Sequence, residues 1–145
     1  MTRRRRLRLI LAIVAVQLVV LAGLIVLRLR SVPPDVARLV RTVARQEGVD
    51  PDLAEALVWV ESRGDARARS RVGALGLLQL MPATAREVAD REGIPLREEE
   101  DLLDPGVNAR IGLIYLRDML RRFEGDERLA LAAYNYGPGR ISASG

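Results

Sequence analysis

Any acid–base chemistry in this chain must come from carboxyls, because its 145 residues include no histidine and no cysteine. That removes Ser-His-Asp and Cys-His nucleophile systems and the usual zinc sites, and no cofactor or metal is expected. Among the 19 acidic residues, Glu61 stands out. It follows the apolar run Leu57-Val58-Trp59-Val60 and falls at the end of a helix that the sequence places from Pro51 to about Ser62. The C-terminal end of the helix dipole disfavours its charge, and so does nearby apolar surface. Both raise its pKa, as a general acid that protonates a leaving oxygen requires. The same pattern also fits a helix-end glutamate turned into solvent.

Two further stretches carry unusual residues. Gly73-Ala74-Leu75-Gly76-Leu77-Leu78-Gln79-Leu80-Met81-Pro82 sets one amide among aliphatics. Its two glycines and an alanine allow close backbone approach. Gln79 is either a satisfied core amide or a ligand-facing donor, and in isolation the core amide is the simpler reading. The second stretch, Ala132 to Arg140, holds Tyr134-Asn135-Tyr136 before Gly137-Pro138-Gly139. Tyr and Asn at a helix end could line a sugar groove or could reflect ordinary C-capping. Two of the three tyrosines lie here, which favours the groove slightly.

The elements that must position these residues are helical. Val36, Leu39, Val40 and Val43 have helical spacing over Asp35–Glu47, and Gly48 stops that helix. Asp50-Pro51 and Asp104-Pro105 each give an N-cap followed by proline at the first helical position. Pro82 opens a helix to about Glu92. The helix after Asp104 runs to about Glu124, and Asp126 caps a last one that ends near Gly137. Arg63 to Gly76 reads as an irregular loop, and Ile94 to Leu103 as a connecting loop. No window alternates with period two, so an all-α domain of about five short helices is expected, with no large sheet.

Charge is divided unevenly. All 23 basic residues are arginine; seven lie in the first 30 residues, where there is no acid. The remaining 16 face all 19 acids, so residues 31–145 carry a net charge of −3. With aromatics at only 3%, neither a basic face nor a stacking surface for nucleic acid is expected. Leu9 to Leu27 is an uncharged apolar run of about 19 residues, long enough for one membrane span. It lacks the polar face of a core helix and the small-x-small site of a cleaved signal peptide. The expectation is an uncleaved transmembrane signal anchor over 9–29, with a cytoplasmic basic tail at 1–8 and a stiff linker at 30–34. By the positive-inside bias the domain at 35–145 would then lie on the periplasmic side of the inner membrane, with the membrane as a partner. Glu98-Glu99-Glu100-Asp101 could suggest calcium, but without an Asp-x-Asp-x-Asp-Gly loop it reads as a solvated acidic turn.

Taken together, Glu61-Ser62, Gly73 to Pro82 and Ala133-Tyr134-Asn135-Tyr136-Gly137 resemble the catalytic domain of the soluble lytic transglycosylase (SLT) family, a relative of goose-type lysozyme. Leu103-Asp104-Pro105, with Asn108, Gly112 and Tyr115-Leu116, looks like that family's connecting helix. The likeness covers roughly residues 35 to 141, and four motifs in order are more specific than any one of them. The resemblance implies a lysozyme-like helical fold, and peptidoglycan glycan strands as the substrate. It implies that Glu61 protonates the oxygen between N-acetylmuramic acid and N-acetylglucosamine, then takes the proton of the muramic acid C6 hydroxyl. That hydroxyl closes on C1, giving a 1,6-anhydro end without water. It further implies that Ser70, Gln79 and Met81 line the groove, that Tyr134 hydrogen-bonds near Glu61, and that Asn135 supports the same wall. Ser62 is expected to be structural. Leu78 stands where the family usually has Met, a mild packing change. The family continues past the position of Gly145 into a further helix, so this domain is expected to be C-terminally short. A true muramidase would need a second, water-activating carboxylate. A non-catalytic peptidoglycan-binding or scaffold module would have no need of the acid.

Overall fold

Proline and aspartate set where the helices of this chain begin. The computed structural model describes residues 13–23 and 31–141, and the chain divides into two units, Met1–Ser31 and Val32–Gly145. In the second unit the helices are α1 (Pro34–Glu47), α2 (Pro51–Ser62), α3 (Pro82–Glu92), α4 (Pro105–Arg122) and α5 (Glu127–Tyr136). Short 3-10 turns cover Glu99–Leu103 and Pro138–Arg140. Proline opens α1 to α4, where its missing N–H has no helical partner to lose. Asp50 caps α2 by accepting from the amides of Asp52 (2.7 Å) and Leu53 (3.0 Å). Asp104 accepts from Gly106 and Val107, both at 2.9 Å. Asp126 does the same for Arg128 (2.9 Å) and Leu129 (3.0 Å) at the start of α5. Each such cap contributes about 1 kcal/mol.

The middle of α4 is apolar on nearly every side. Ile111, Gly112, Leu113, Ile114 and Leu116 are all buried, the mark of a helix enclosed by others. On one side it packs against α1 and, with α2, forms a core around Val40, Ala44, Val58, Leu77, Leu78 and Leu113. On another, Ile111 and Ile114 meet Ala85, Val88 and Ala89 of α3. Met119 and Phe123 meet Ala130 and Ala133 of α5. The segment between α2 and α3 has two isolated antiparallel bridges, Arg69 with Leu75 and Leu75 with Leu80, and the described residues hold no sheet. The acidic stretch is a capped 3-10 turn. The Asp101 carboxylate accepts from the amides of Arg97 (2.7 Å) and Glu98 (3.1 Å), and Glu100 pairs with Arg69 at 3.4 Å.

The N-terminal expectation is corrected. No helix among the described residues is long and apolar enough to cross a membrane. Residues 13–23 are helical. The rest of the 9–29 segment, and the tail at 1–8, lie outside the described residues. The transmembrane anchor, the membrane as a partner and the single-pass inner-membrane location with a periplasmic domain are therefore not supported. Within the stretch expected to be a linker, Val32 is buried in the core and Pro34 already belongs to α1.

Candidate active site

Glu61 stands in the last turn of α2, which ends because Arg63 adopts a left-handed conformation (φ 56°) while its amide still bonds the Trp59 carbonyl at 3.1 Å. The Arg63 guanidinium lies over the Trp59 ring, 5.0 Å from its centre. The Ser62 hydroxyl donates to the Val58 carbonyl (3.3 Å) and accepts from the Gly64 amide (3.2 Å), which tidies the helix end. Inward-facing Leu57 and Val58 are buried and leave Glu61 partly buried beside them. Burial pushes the Glu61 carboxyl above the ordinary glutamate range. Of the two effects expected from the sequence, burial is the one that carries this shift.

The second wall is the turn from Leu75 to Leu80. Leu75 and Leu80 exchange backbone hydrogen bonds at 2.9 and 3.0 Å, and Gly76 (φ 75°) and Gln79 (φ 45°) close the loop between them. A left-handed glutamine is uncommon and persists only where its surroundings enforce it. Here its Nε2 donates to the carbonyls of Gly76 (2.9 Å) and Ala68 (3.3 Å). Asn108 of α4 is fully buried behind the turn. Its Oδ1 accepts from the Leu78 amide at 2.9 Å, and its Nδ2 donates to the carbonyls of Leu75 (2.9 Å) and Leu102 (2.8 Å). A Cβ on Gly76 would lie 2.2 Å from Asn108 Nδ2 and 2.4 Å from the Leu102 oxygen, so only glycine fits there.

The third wall comes from α5. The Tyr134 hydroxyl donates to the Leu78 carbonyl at 2.9 Å, so it ties α5 to the turn rather than bonding Glu61. Its hydroxyl is pushed well above the ordinary tyrosine range, first by burial, then by the charge of Glu61, then by Tyr115. The Tyr115 and Tyr134 rings are 5.1 Å apart and tilted. Asn135 is exposed, and its Nδ2 donates to the Leu131 carbonyl at 3.2 Å.

These walls enclose an open groove of about 480 Å³, lined by Glu61, Ser70, Gln79, Met81, Tyr134 and Asn135 together. Every site residue expected from the sequence therefore borders one cavity. Ser70 is partly committed, since its Oγ accepts from the Ala74 amide at 2.9 Å. Sequence reasoning missed Val72, Thr84 and Tyr115 on the same groove. The sequence places Tyr115 in the connecting helix and gives it no part in the groove. Its hydroxyl, out of place in a run of Ile and Leu, was the available signal. Among the described residues lining the groove, Glu61 is the only carboxyl. Asp65 is used locally, accepting from the Arg67 amide at 2.8 Å.

The domain has an all-α, lysozyme-like fold, with Glu61 the only carboxyl among the described residues lining its groove. The transglycosylase SLT domain family matches residues 38–144, and the chain belongs to that family. It is 34% identical over 112 residues to the peptidoglycan transglycosylase gp16 of Escherichia phage T7, covering 77% of this chain and 8% of that protein. It is 39% identical over 94 residues to the soluble lytic murein transglycosylase of Escherichia coli, covering 64% of this chain and 15% of that enzyme. The fold matches the lytic transglycosylase Slt of Pseudomonas aeruginosa, solved as an inactive mutant. The TM-score is 0.68 at 42% identity, over 71% of this chain and 17% of that one. The chain thus spans a small part of the relatives it matches.

Proposed function

We propose that this domain cleaves the glycan strands of peptidoglycan without water, leaving 1,6-anhydro-muramic acid ends. The observation that carries the reading is the lone carboxyl of Glu61, held partly out of water where a sugar groove passes. Family membership supports the same reading. Glu61, protonated, gives its proton to the oxygen that leaves C1 of N-acetylmuramic acid. The resulting carboxylate takes the proton of the C6 hydroxyl as that oxygen bonds C1. One proton enters and one leaves, so a single group serves as acid and then base. Hydrolysis would instead need a second group to activate water. Ser70, Gln79 and Met81 bear on the sugar near the scissile bond. Tyr134 keeps water from one side of Glu61, and Asn135 extends that wall.

The test is to incubate the full-length chain with purified peptidoglycan and weigh the fragments by mass spectrometry. Anhydro-ended fragments, one water lighter than hydrolysis products, are expected. Glu61→Gln should lower the rate by about 10²–10⁴-fold, the usual contribution of a positioned acid–base group. Reducing ends would make the protein a muramidase instead. Tight binding of glycan with no cleavage would make it a binding module.

A further inference from the structure

All three tyrosines of the chain border the groove, but the fold itself uses only two. Tyr134 packs against Tyr115 and bonds the Leu78 carbonyl. Tyr136 does neither. It is 67% exposed, and among the described residues it has no hydrogen bond and no ring contact. A lone exposed apolar side chain needs no explanation, but a concentration of them does. In the described part of the Val32–Gly145 unit the exposed large hydrophobic side chains are Val60, Val72, Met81 and Tyr136, and the last three border this one groove.

The backbone under Tyr136 is held firmly. Tyr136 ends α5, where the Gly137 amide bonds the Ala133 carbonyl at 2.9 Å. Gly137 leaves the helix at φ 83°, Pro138 starts the 3-10 turn, and the Arg140 amide bonds the Gly137 carbonyl at 3.2 Å. Beyond that anchor a tyrosine has only two side-chain torsions, so holding its ring against a ligand costs little conformational entropy. The same groove offers the polar side chains of Gln79, Thr84 and Asn135. No arginine is among the described residues that line it, so an anionic ligand finds no counter-charge there. A rigid apolar ring among neutral hydrogen-bonding groups fits a neutral ligand with both kinds of surface. A pyranose is such a ligand, with C–H faces and hydroxyl edges. The charge of Glu61 reaches Tyr134. Two residues on is about 200° around the helix, so Tyr136 reaches a different stretch of the groove.

We propose that Tyr136 is a substrate-binding residue whose ring stacks on a neutral pyranose of the glycan strand, beyond the sugar being cleaved, and so sets how tightly a strand is held. The inference rests on the proposed function in taking a glycan strand as the occupant of the groove.

The experiment uses the full-length chain carrying Glu61→Gln, which should hold strands while cutting them slowly, and measures its binding of peptide-free glycan strands by titration calorimetry. Adding Tyr136→Ala should weaken binding by about three- to tenfold, the scale of one aromatic contact. Tyr136→Phe should bind as tightly as its parent, because the ring face and not the hydroxyl makes the contact. In the active protein Tyr136→Ala should raise KM by a similar factor and leave kcat and its pH profile unchanged. Position 136 is exposed, so the thermal melts of these variants should match their parents. Unchanged binding by Tyr136→Ala, or an equal loss in Tyr136→Phe, would overturn the inference and leave the proposed function intact. Strands bound by the Glu61→Gln protein but left uncut by the wild type would sink the proposed function, and the Tyr136 comparison would still decide the inference. If no strand binds, both fall.

Discussion

Glu61 meets opposed demands, since the burial that suits an acid catalyst also costs stability once the carboxyl ionises. Its raised pKa means that the folded protein holds this proton more tightly than the unfolded chain. The stabilisation is complete below the ordinary glutamate range and is lost as pH rises through the raised value. Glu61→Gln should therefore melt above the wild type at about pH 8 and converge with it at about pH 3. A scanning calorimeter reads the difference, and a variant that melts lower at alkaline pH would mean a partner stabilises the carboxylate. Activity should fall by about tenfold per pH unit above the Glu61 pKa, as the protonated fraction shrinks. Glu61 was picked out of the sequence on local grounds, a carboxyl closing an apolar run. Local grounds could not separate it from a solvent-facing glutamate, because burial depends on side chains far along the chain.

The turn that carries Gln79 is held by α4, and its two supports can be tested separately. Asn108→Ala leaves the Leu78 amide and the Leu75 and Leu102 carbonyls without their partner inside the core. A loss of about 3–5 kcal/mol is expected from the urea unfolding midpoint. At Gly112 the contact is steric, since a Cβ there would lie 2.5 Å from Leu78 Cδ1 and 2.9 Å from Leu78 Cβ. Gly112→Ala should cost about 1–3 kcal/mol by overpacking. Combined with Leu78→Ala it should cost less than the two changes summed, because the smaller side chain makes room. Additive costs would show that the helix shifts instead. The helices themselves were legible, with α2 and α3 at the expected bounds, because proline, aspartate caps and terminal glycines act within one turn. The expected end of α4 near Glu124 falls instead at Arg122, where Phe123 turns into the core. That preference belongs to the packing, not to the local sequence.

At the scale of the molecule, the folded unit begins earlier than the composition suggests. Val32 is buried against the α1–α2 core, and a Cβ on Gly64 would meet the Pro33 ring at 2.5 Å. Val32→Ala should lower stability by about 2 kcal/mol, measured by denaturant unfolding, for the loss of two buried carbon groups and the space they leave. No change would mean that the segment packs only loosely. The apolar run ahead of it shows the opposite error. Hydropathy along a sequence reports how apolar a stretch is, and no helix among the described residues is long and apolar enough to cross a membrane.

The order of the helices, their caps and the choice of Glu61 as candidate acid could all be read from the chain, since each rests on neighbours within a few residues. The tertiary structure decided the rest. Asn108 reaches Leu78 across 30 residues, and Tyr134 reaches the same residue across 56. Such contacts accompany the gathering of Glu61, Gln79, Tyr115 and Tyr134 around one groove. Periodicity records which face of a helix is apolar; it carries no record of which distant polar group will close the turn that faces it.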